Sequence, residues 1–285
     1  MIPALLVALR PRQWIKNLLV FAAPLFAFVT DPDELLRVVG AFFAFCAVSS
    51  AVYLLNDWFD LEQDRLHPIK QRRPLASGQI SLSATILVAI LLGIAGLGLA
   101  FRISNALALV LGAYILIQLA YNLILKRVLI LDIMSIASGF VLRAVAGGFA
   151  ALVELSPWFL FCVALLAFYV GLQKRKSELT RMSDTGVTTR RVLTEYSISY
   201  LEKVETALLA SILMTYALWT IQGAATTWTM LSVPFVFYGL LRYQYLSGQE
   251  IVERPEEVIF RDRPLFINLL LWGLTCFAIL ALHHR

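Results

Sequence analysis

Apolar blocks about 20 residues long constrain the fold of this chain more than any other feature of its sequence. Hydrophobic residues make up 60% of its 285 residues and charged residues only 15%, where a soluble domain would carry about 25% charged residues. A helix of about 20 residues crosses the hydrocarbon core of a bilayer. The blocks lack the period-two alternation of barrel strands. The sequence therefore predicts an all-α integral membrane protein and argues against a soluble all-α protein with a large core.

We place nine candidate spans in a single transmembrane domain over residues 1–285. They run approximately over residues 17–30, 35–56, 82–101, 105–125, 131–152, 158–173, 200–222, 228–246 and 265–282. A tract rich in Trp, Arg and Lys precedes the first block, so we interpret it as a retained span, not a cleaved signal. The three cysteines fall within apolar blocks without paired spacing, which is typical of small core residues rather than of a disulfide or zinc site.

The basic residues divide unevenly between the two sides that these spans define. With the N-terminus in the cytoplasm, 20 of the 24 Lys and Arg residues lie inside, whereas Arg37, Arg102 and Arg285 lie outside and Arg143 lies within a span. Cytoplasmic loops carry such an excess. The two longest polar segments, 57–81 and 174–199, are then cytoplasmic, so we expect the chemistry on that side.

An acidic segment at the cytoplasmic end of the second span is the strongest candidate for a site. Asp57, Asp60 and Asp64 are spaced three and four residues apart, so on one helix they would share a face. Like charges placed in this way repel one another unless a cation lies between them. Mg²⁺ usually takes one or two carboxylates together with substrate phosphates. The spacing therefore favours a magnesium site beside a phosphorylated substrate over a merely acidic helix end.

Basic side chains could hold the phosphate oxygens of such a substrate. Lys70 and Arg73 follow the acidic segment and are our first candidates. Their alternative role is to set the orientation of the chain in the membrane by positive charge on the cytoplasmic side. Arg143 lies within the fifth span, where a charge normally faces the bundle interior or a wet cavity. For Arg143 we favour a substrate phosphate over a structural ion pair.

Other polar side chains lie at the ends of the predicted spans. After the sixth span, Lys174 and Glu178 are one helical turn apart in a basic cluster, which could equally be an ordinary basic loop. Lys16 and Asn17 open the first span, and anchoring at the membrane interface explains them as well as substrate binding does.

Together these segments resemble the UbiA superfamily of intramembrane prenyltransferases over most of the chain. The residues from Asn56 to Asp64 match its first aspartate-rich motif, N-D-x-x-D-x-x-x-D. The resemblance implies nine helices around a central cavity that opens laterally to lipid and is covered by cytoplasmic polar loops. The second aspartate-rich motif of the superfamily is replaced here by the basic run Lys174-Arg175-Lys176-Ser177-Glu178, which suits an additional phosphate better than a second magnesium ion.

One branch, the decaprenyl-phosphate phosphoribosyltransferases, is similar to this chain in several segments, namely Arg10 to Asn17, Asn56 to Pro74, Tyr121 to Lys126, Asp132, Arg143 to Gly148, and Lys174-Arg175 with Glu178. This resemblance implies a plasma-membrane enzyme of the bacterial inner-membrane type. Its donor is phosphoribosyl pyrophosphate (PRPP), and its acceptor is a polyprenyl phosphate used for cell-wall precursors. It also implies Mg²⁺ as cofactor, held by the catalytic residues Asp57, Asp60 and Asp64. The substrate contacts would be Lys16, Asn17, Asn56, Lys70, Arg73, Tyr121, Lys126, Arg143, Lys174, Arg175 and Glu178.

Two other functions remain open from the sequence. A prenyltransferase that moves an isoprenoid to an aromatic or glycerol-phosphate acceptor shares the first motif but predicts a second acidic one. A lipid-phosphate transporter could use Arg143 and Asp132, but no inverted repeat or broken helix indicates one. Among partners we expect the lipid bilayer and no nucleic acid, and we leave a homo-oligomer open.

Overall fold

The computed structural model describes residues 2–67, 69–185, 191–249, 258 and 261–283. Residues 186–190 of the predicted cytoplasmic segment 174–199, and the predicted outside residue Arg285, lie outside this described part. Throughout the described residues the regular structure is helical, which confirms the predicted all-α class.

Eleven α-helices make up most of the described chain. In order they are α1 (Ile2–Ala8), α2 (Ala22–Phe26), α3 (Pro32–Phe59), α4 (Leu61–Leu66), α5 (Leu82–Ile103), α6 (Asn105–Leu123), α7 (Leu131–Ala150), α8 (Pro157–Thr185), α9 (Ile198–Gln222), α10 (Val233–Gln249) and α11 (Arg263–His283). Short 3₁₀ helices connect several of them, at Pro11–Phe21, Lys70–Arg72, Leu125–Arg127, Arg191–Glu195 and Thr227–Ser232.

Seven of the described helices, α3, α5 to α9 and α11, are long and apolar enough to cross a membrane. The protein is therefore an integral membrane protein, but the predicted count of nine is not reached by this measure. The predicted first span, 17–30, falls across the 3₁₀ helix Pro11–Phe21 and the short α2. The predicted eighth span, 228–246, is divided between the 3₁₀ helix Thr227–Ser232 and α10, whose 17 residues fall short of the roughly 20 that a perpendicular span needs.

The chain divides into two compact units. Unit one contains residues 1–25, 29–124 and 142–154, and unit two contains residues 26–28, 125–141 and 155–285. In unit one, α3 packs on α5 and α6 around fully buried side chains that include Val38, Phe45 and Leu111. In unit two, α8 packs on α9 around residues such as Leu172 and Leu201.

Small residues let the backbones of unit one approach each other closely. Gly96 on α5 faces α3, where a Cβ atom would lie 2.9 Å from the carbonyl oxygen of Ala44. Gly147 on α7 faces the 3₁₀ helix that carries Val20, and a Cβ atom there would collide with the Val20 carbonyl oxygen. This contact holds the segment around Asn17 against α7, and Asn17 matters for the site described below.

We expect Gly147→Ala to lower the thermal stability of the protein, because the added methyl group meets backbone that cannot rotate away. Overpacking of this kind costs about 1–3 kcal/mol. Gly93→Ala is the matched control, since no atom lies within 4 Å of a Cβ atom at Gly93. The check is the unfolding temperature of both variants in detergent. Equal unfolding temperatures would contradict the close approach at Gly147.

Candidate active site

The acidic motif extends over a one-residue break between two helices. α3 ends at Phe59, and Asp60 has a non-helical backbone (φ −96°, ψ 5°) before α4 begins at Leu61. The expectation of a single continuous helix is therefore wrong. Hydrogen bonds from the Asp60 N–H to the Asn56 carbonyl and from the Asp64 N–H to the Asp60 carbonyl still follow helical spacing on both sides of the break. Asp57 and Asp64 share a partner.

Arg73 joins the two carboxylates. Its Nη1 atom donates to Asp57 Oδ1 at 3.0 Å and to Asp64 Oδ2 at 2.5 Å, so both side chains converge on one nitrogen atom. Both aspartates are nearly inaccessible, at 3% and 2% exposure. Lys70 Nζ lies 4.0 Å from Asp64 Oδ1, and Arg10 also pairs with Asp57. The structure thus places the predicted residues Asp57, Asp64, Lys70 and Arg73 in one cluster.

Arg10 is a member of this cluster that motif spacing did not single out. It precedes the first apolar block, and the basic segment around it is equally typical of an interfacial anchor. Its guanidinium lies over the ring of Tyr53, 5.0 Å from the centroid, which directs it to the end of α3. Its pairing with Asp57 depends on the packing of α1 and the following 3₁₀ helix against α3.

The donor set is suited to a divalent cation held by two carboxylates. Among the described residues, no three His, Cys, Asp or Glu side chains are arranged to hold a metal ion. Mg²⁺, however, commonly binds one or two carboxylates and completes its shell with phosphate oxygens and water. Asp57 and Asp64 already converge on a cationic nitrogen, and Asp60 lies between them in the chain. These residues fit such a site.

Arg143 is a buried cation of unit one, 4% exposed. Its Nε atom donates to Asn17 Oδ1 at 2.7 Å, and its Nη2 atom donates to the Tyr114 hydroxyl at 3.2 Å. Its guanidinium also lies over the rings of Tyr114 and Phe45, at 4.9 and 5.5 Å from the centroids. These hydrogen bonds and ring contacts fix the orientation of the Arg143 guanidinium inside unit one.

Asn17, which we predicted as a substrate contact, lies in the 3₁₀ helix Pro11–Phe21 and accepts the hydrogen bond from Arg143. Its Nδ2 atom donates to Ser49 Oγ at 3.2 Å and to Cys46 Sγ at 3.3 Å. Both acceptors lie on α3, so the side chain links α3 to α7. Three other predicted contacts of unit one, Lys16, Asn56 and Tyr121, are half-buried.

In unit two, Arg175 lies in a buried ion network. Its Nε atom donates to Asp132 Oδ2 at 2.6 Å, and its Nη1 atom donates to Glu178 Oε2 at 2.7 Å. Arg175 and Asp132 are 1% and 0% exposed. α8 continues past the apolar block to Thr185 and so carries the basic run on a helix. Lys174 on α8 and Lys126 on its 3₁₀ helix are half-buried.

Tyr196 completes this network from outside the membrane-spanning helices. Its hydroxyl donates to Asp132 Oδ1 at 2.8 Å and accepts the backbone N–H of Ile130 at 2.9 Å. Burial and the hydrogen bond to Asp132 raise the pKa of Tyr196, so the phenol stays protonated at physiological pH and keeps donating. The Asp132 carboxylate is therefore fixed on both of its oxygens. The sequence contains no spacing that links Tyr196 to Asp132.

Glu205 forms another buried pair, on the next helix. It accepts from Gln173 Nε2 at 2.7 Å and from Lys176 Nζ at 2.9 Å. Gln173 and Lys176 lie on one face of α8, whereas Arg175 and Glu178 lie on another. Both pairings anchor the polar end of α8 to its neighbours, which holds the remaining side chains of the basic run in defined positions.

We expect Tyr196→Phe to lower stability by about 1 kcal/mol, because Asp132 loses one of its two hydrogen-bonded partners. Asp132→Asn should cost more, about 3–5 kcal/mol, since it removes the carboxylate that neutralises a buried arginine. Tyr200→Phe is the control, because Tyr200 is exposed and its ring centroid lies 6.5 Å from that of Tyr196. Thermal unfolding in detergent gives the ranking, and an Asp132→Asn protein as stable as the Tyr200→Phe control would refute the network.

Comparisons with known proteins identify the family of this chain. Residues 18–270 match the model of the UbiA prenyltransferase family. The chain is 38% identical to the decaprenyl-phosphate phosphoribosyltransferase of Mycolicibacterium smegmatis, over 95% of this chain and 91% of that protein. It is also 38% identical to the protein of the same name from Corynebacterium glutamicum, over 93% and 83%.

Solved structures show the same fold. A UbiA homolog from Archaeoglobus fulgidus bound to GPP and Mg²⁺ superposes with a TM-score of 0.77 at 20% identity, covering 98% of this chain and 99% of that one. A digeranylgeranylglyceryl phosphate synthase gives a TM-score of 0.70 at 18% identity, covering 97% of each chain. With a family match over most of its length and relatives above one third identity, this chain belongs to the UbiA prenyltransferase family.

Proposed function

We propose that the protein transfers 5-phosphoribose from PRPP to a polyprenyl phosphate of the decaprenyl type, with release of pyrophosphate, for lipid-linked precursors of the cell wall. One observation carries this proposal: the 38% identity to a decaprenyl-phosphate phosphoribosyltransferase extends over 95% of the chain. The basic run that replaces the second acidic motif supports it, because both substrates bring phosphate groups besides the pyrophosphate that leaves.

The acidic cluster is assigned to the pyrophosphate end of the donor. Asp57, Asp60 and Asp64 would hold Mg²⁺, which supplies positive charge for the leaving pyrophosphate. Arg10, Lys70 and Arg73 already lie against these carboxylates and would donate to the pyrophosphate oxygens. Asn56 precedes the first of the aspartates and is assigned to the same substrate.

The remaining basic residues are assigned to the two other phosphates. Lys126, Arg143, Lys174 and Arg175 would bind the ribose 5-phosphate and the phosphate of the lipid. Lys16, Asn17, Tyr121 and Glu178 would position these groups, as Asn17 does for Arg143 and Glu178 for Arg175.

The chemistry needs no strong general base. An oxygen atom of the lipid phosphate forms the new bond to C1 of the ribose while the bond from C1 to pyrophosphate breaks, and C1 gains oxocarbenium character. The attacking phosphate is already anionic at neutral pH, so no proton has to be removed from it. What the chain must provide is alignment of two anions, which requires cations on both.

A transfer assay tests the reaction. Purified protein with Mg²⁺, radiolabelled PRPP and decaprenyl phosphate should move label into the lipid phase, and EDTA should abolish the transfer. Asp60→Ala should reduce turnover by roughly 100-fold or more, as expected when stabilisation of a leaving group is lost. Asp33→Ala, a matched change at the opposite end of α3, should keep turnover unchanged.

Two results would contradict the assignment. Full activity of Asp60→Ala would remove Asp60 from the metal site. A folded protein that does not use PRPP but transfers an isoprenoid from a prenyl diphosphate would instead indicate a prenyltransferase.

We also propose that the N-terminus, the acidic motif and the basic run face the cytoplasm, on the basis of the distribution of Lys and Arg. Single cysteines placed by Asp33→Cys, at the start of α3, and Glu62→Cys, in α4 just after the other end of α3, report the two sides of the membrane in a background whose native cysteines are replaced. In intact cells a membrane-impermeant maleimide should label the cysteine at position 33 and reach the one at 62 only after permeabilisation. The reverse pattern would invert the topology.

A further inference from the structure

Two arginines lie close together at the end of unit one that is remote from the acidic motif. Arg37 lies near the start of α3 and Arg102 in the last turn of α5. Asp57 lies near the other end of α3, roughly 30 Å from Arg37 along the helix axis. The two arginines are thus at the opposite face of the bilayer from the proposed active site.

A groove of about 690 Å³ runs between α3 and α5 at this end. Its walls combine apolar side chains with both guanidinium groups, and the residues that define it are Leu36, Val39, Phe43, Leu99, Arg37 and Arg102. Leu36 and Phe43 are 70% and 55% exposed, so their surfaces face the bilayer. At Gly40 a Cβ atom would lie 2.8 Å from Ile103 Cδ1, which shows how closely the two helices approach at the base of the groove.

Neither arginine forms an ion pair within the described residues. Asp33 and Glu34 lie one turn before Arg37 on α3, yet Arg37 extends the other way, and its Nη2 atom lies 3.4 Å from the carbonyl oxygen of Ile103 at the end of α5. Arg102 is exposed on the turn just before that carbonyl. The two positive charges therefore meet at the polar end of an apolar groove.

Positive charge at this position is unusual for a membrane protein. Loops on the non-cytoplasmic side are poor in Lys and Arg, and by the charge distribution only three such residues lie there. Two of those three line this one groove. If Arg37 and Arg102 only had to be solvated, they would not need to lie together next to exposed leucine and phenylalanine side chains.

We propose that this groove binds an anionic phospholipid of the leaflet opposite to the acidic motif. The lipid phosphate would accept N–H bonds from Arg37 and Arg102, since guanidinium groups are well matched to phosphate oxygens. One acyl chain would lie along Leu36, Val39 and Phe43. This combination of two cations and an apolar track distinguishes a phospholipid from free phosphate, which would leave the apolar walls unused, and the site is separate from the proposed acceptor site.

Native mass spectrometry of the full-length protein in neutral detergent tests the proposal. Phosphatidylglycerol and phosphatidylcholine are titrated against the wild type and against the double variant Arg37→Gln/Arg102→Gln. The double variant should bind its first phosphatidylglycerol about tenfold more weakly, because two cations near the headgroup are lost. Binding of phosphatidylcholine should change much less. The charge-preserving Arg37→Lys/Arg102→Lys variant should recover most of the affinity.

Arg263→Gln is the matched control, because Arg263 is also an exposed arginine at a helix end, outside this groove. It should bind phosphatidylglycerol as the wild type does. Equal binding by the wild type and the glutamine double variant would overturn the proposal, as would an equal loss in the control. A wild-type dimer that the double variant loses, with phosphatidylglycerol binding unchanged, would also overturn it and make the groove an interface between two copies.

Discussion

The convergence of Asp57 and Asp64 on a single guanidinium nitrogen is the interaction on which the proposed site of unit one depends. Two carboxylates that are almost excluded from solvent would repel each other strongly unless cations lay between them. The chain supplies Arg73 and Arg10 on Asp57 and Lys70 near Asp64. An arrangement of this kind, with anions and cations side by side, suits the metal–diphosphate group that we propose as its ligand, because that group also brings both signs of charge.

A different device orders the basic run of unit two. α8 is long enough to continue from an apolar stretch into a polar one, and two buried carboxylates from neighbouring elements then hold alternate faces of its polar end. Asp132 accepts a hydrogen bond from Arg175, while Glu205 accepts hydrogen bonds from Gln173 and Lys176. Buried ion pairs contribute little net stability once desolvation is counted. Their more valuable effect here is to fix the direction of side chains on a helix that would otherwise be a solvated basic surface.

Much of this could be predicted from the sequence, because its strongest signals are local. Apolar length predicted the helical membrane class, and the spacing of Asp57, Asp60 and Asp64 predicted an acidic cluster. The break at Asp60 was not predicted because the spacing of side chains does not report a single non-helical residue between two helices. Arg10, Tyr196 and Glu205 were missed for a related reason: each reaches its partner across a long stretch of chain. The count of nine spans exceeded the seven long apolar helices because hydropathy does not distinguish one long α-helix from an apolar stretch divided between a 3₁₀ helix and a short α-helix, as over residues 11–26 and 227–249.

The departure from the family's second acidic motif is the feature that separates the proposed reaction from prenyl transfer. A prenyl donor carries its diphosphate on the lipid, and its acceptor need not be charged. In the proposed reaction the lipid is the nucleophile and brings a phosphate of its own, and the donor carries a further phosphate on the ribose. In the proposed reaction, a basic run in place of carboxylates would remove a metal ligand set and would supply Lys174 and Arg175 for the phosphates that the substrates have gained. The retained first motif matches the part of the chemistry that is common to both reactions, the departure of pyrophosphate.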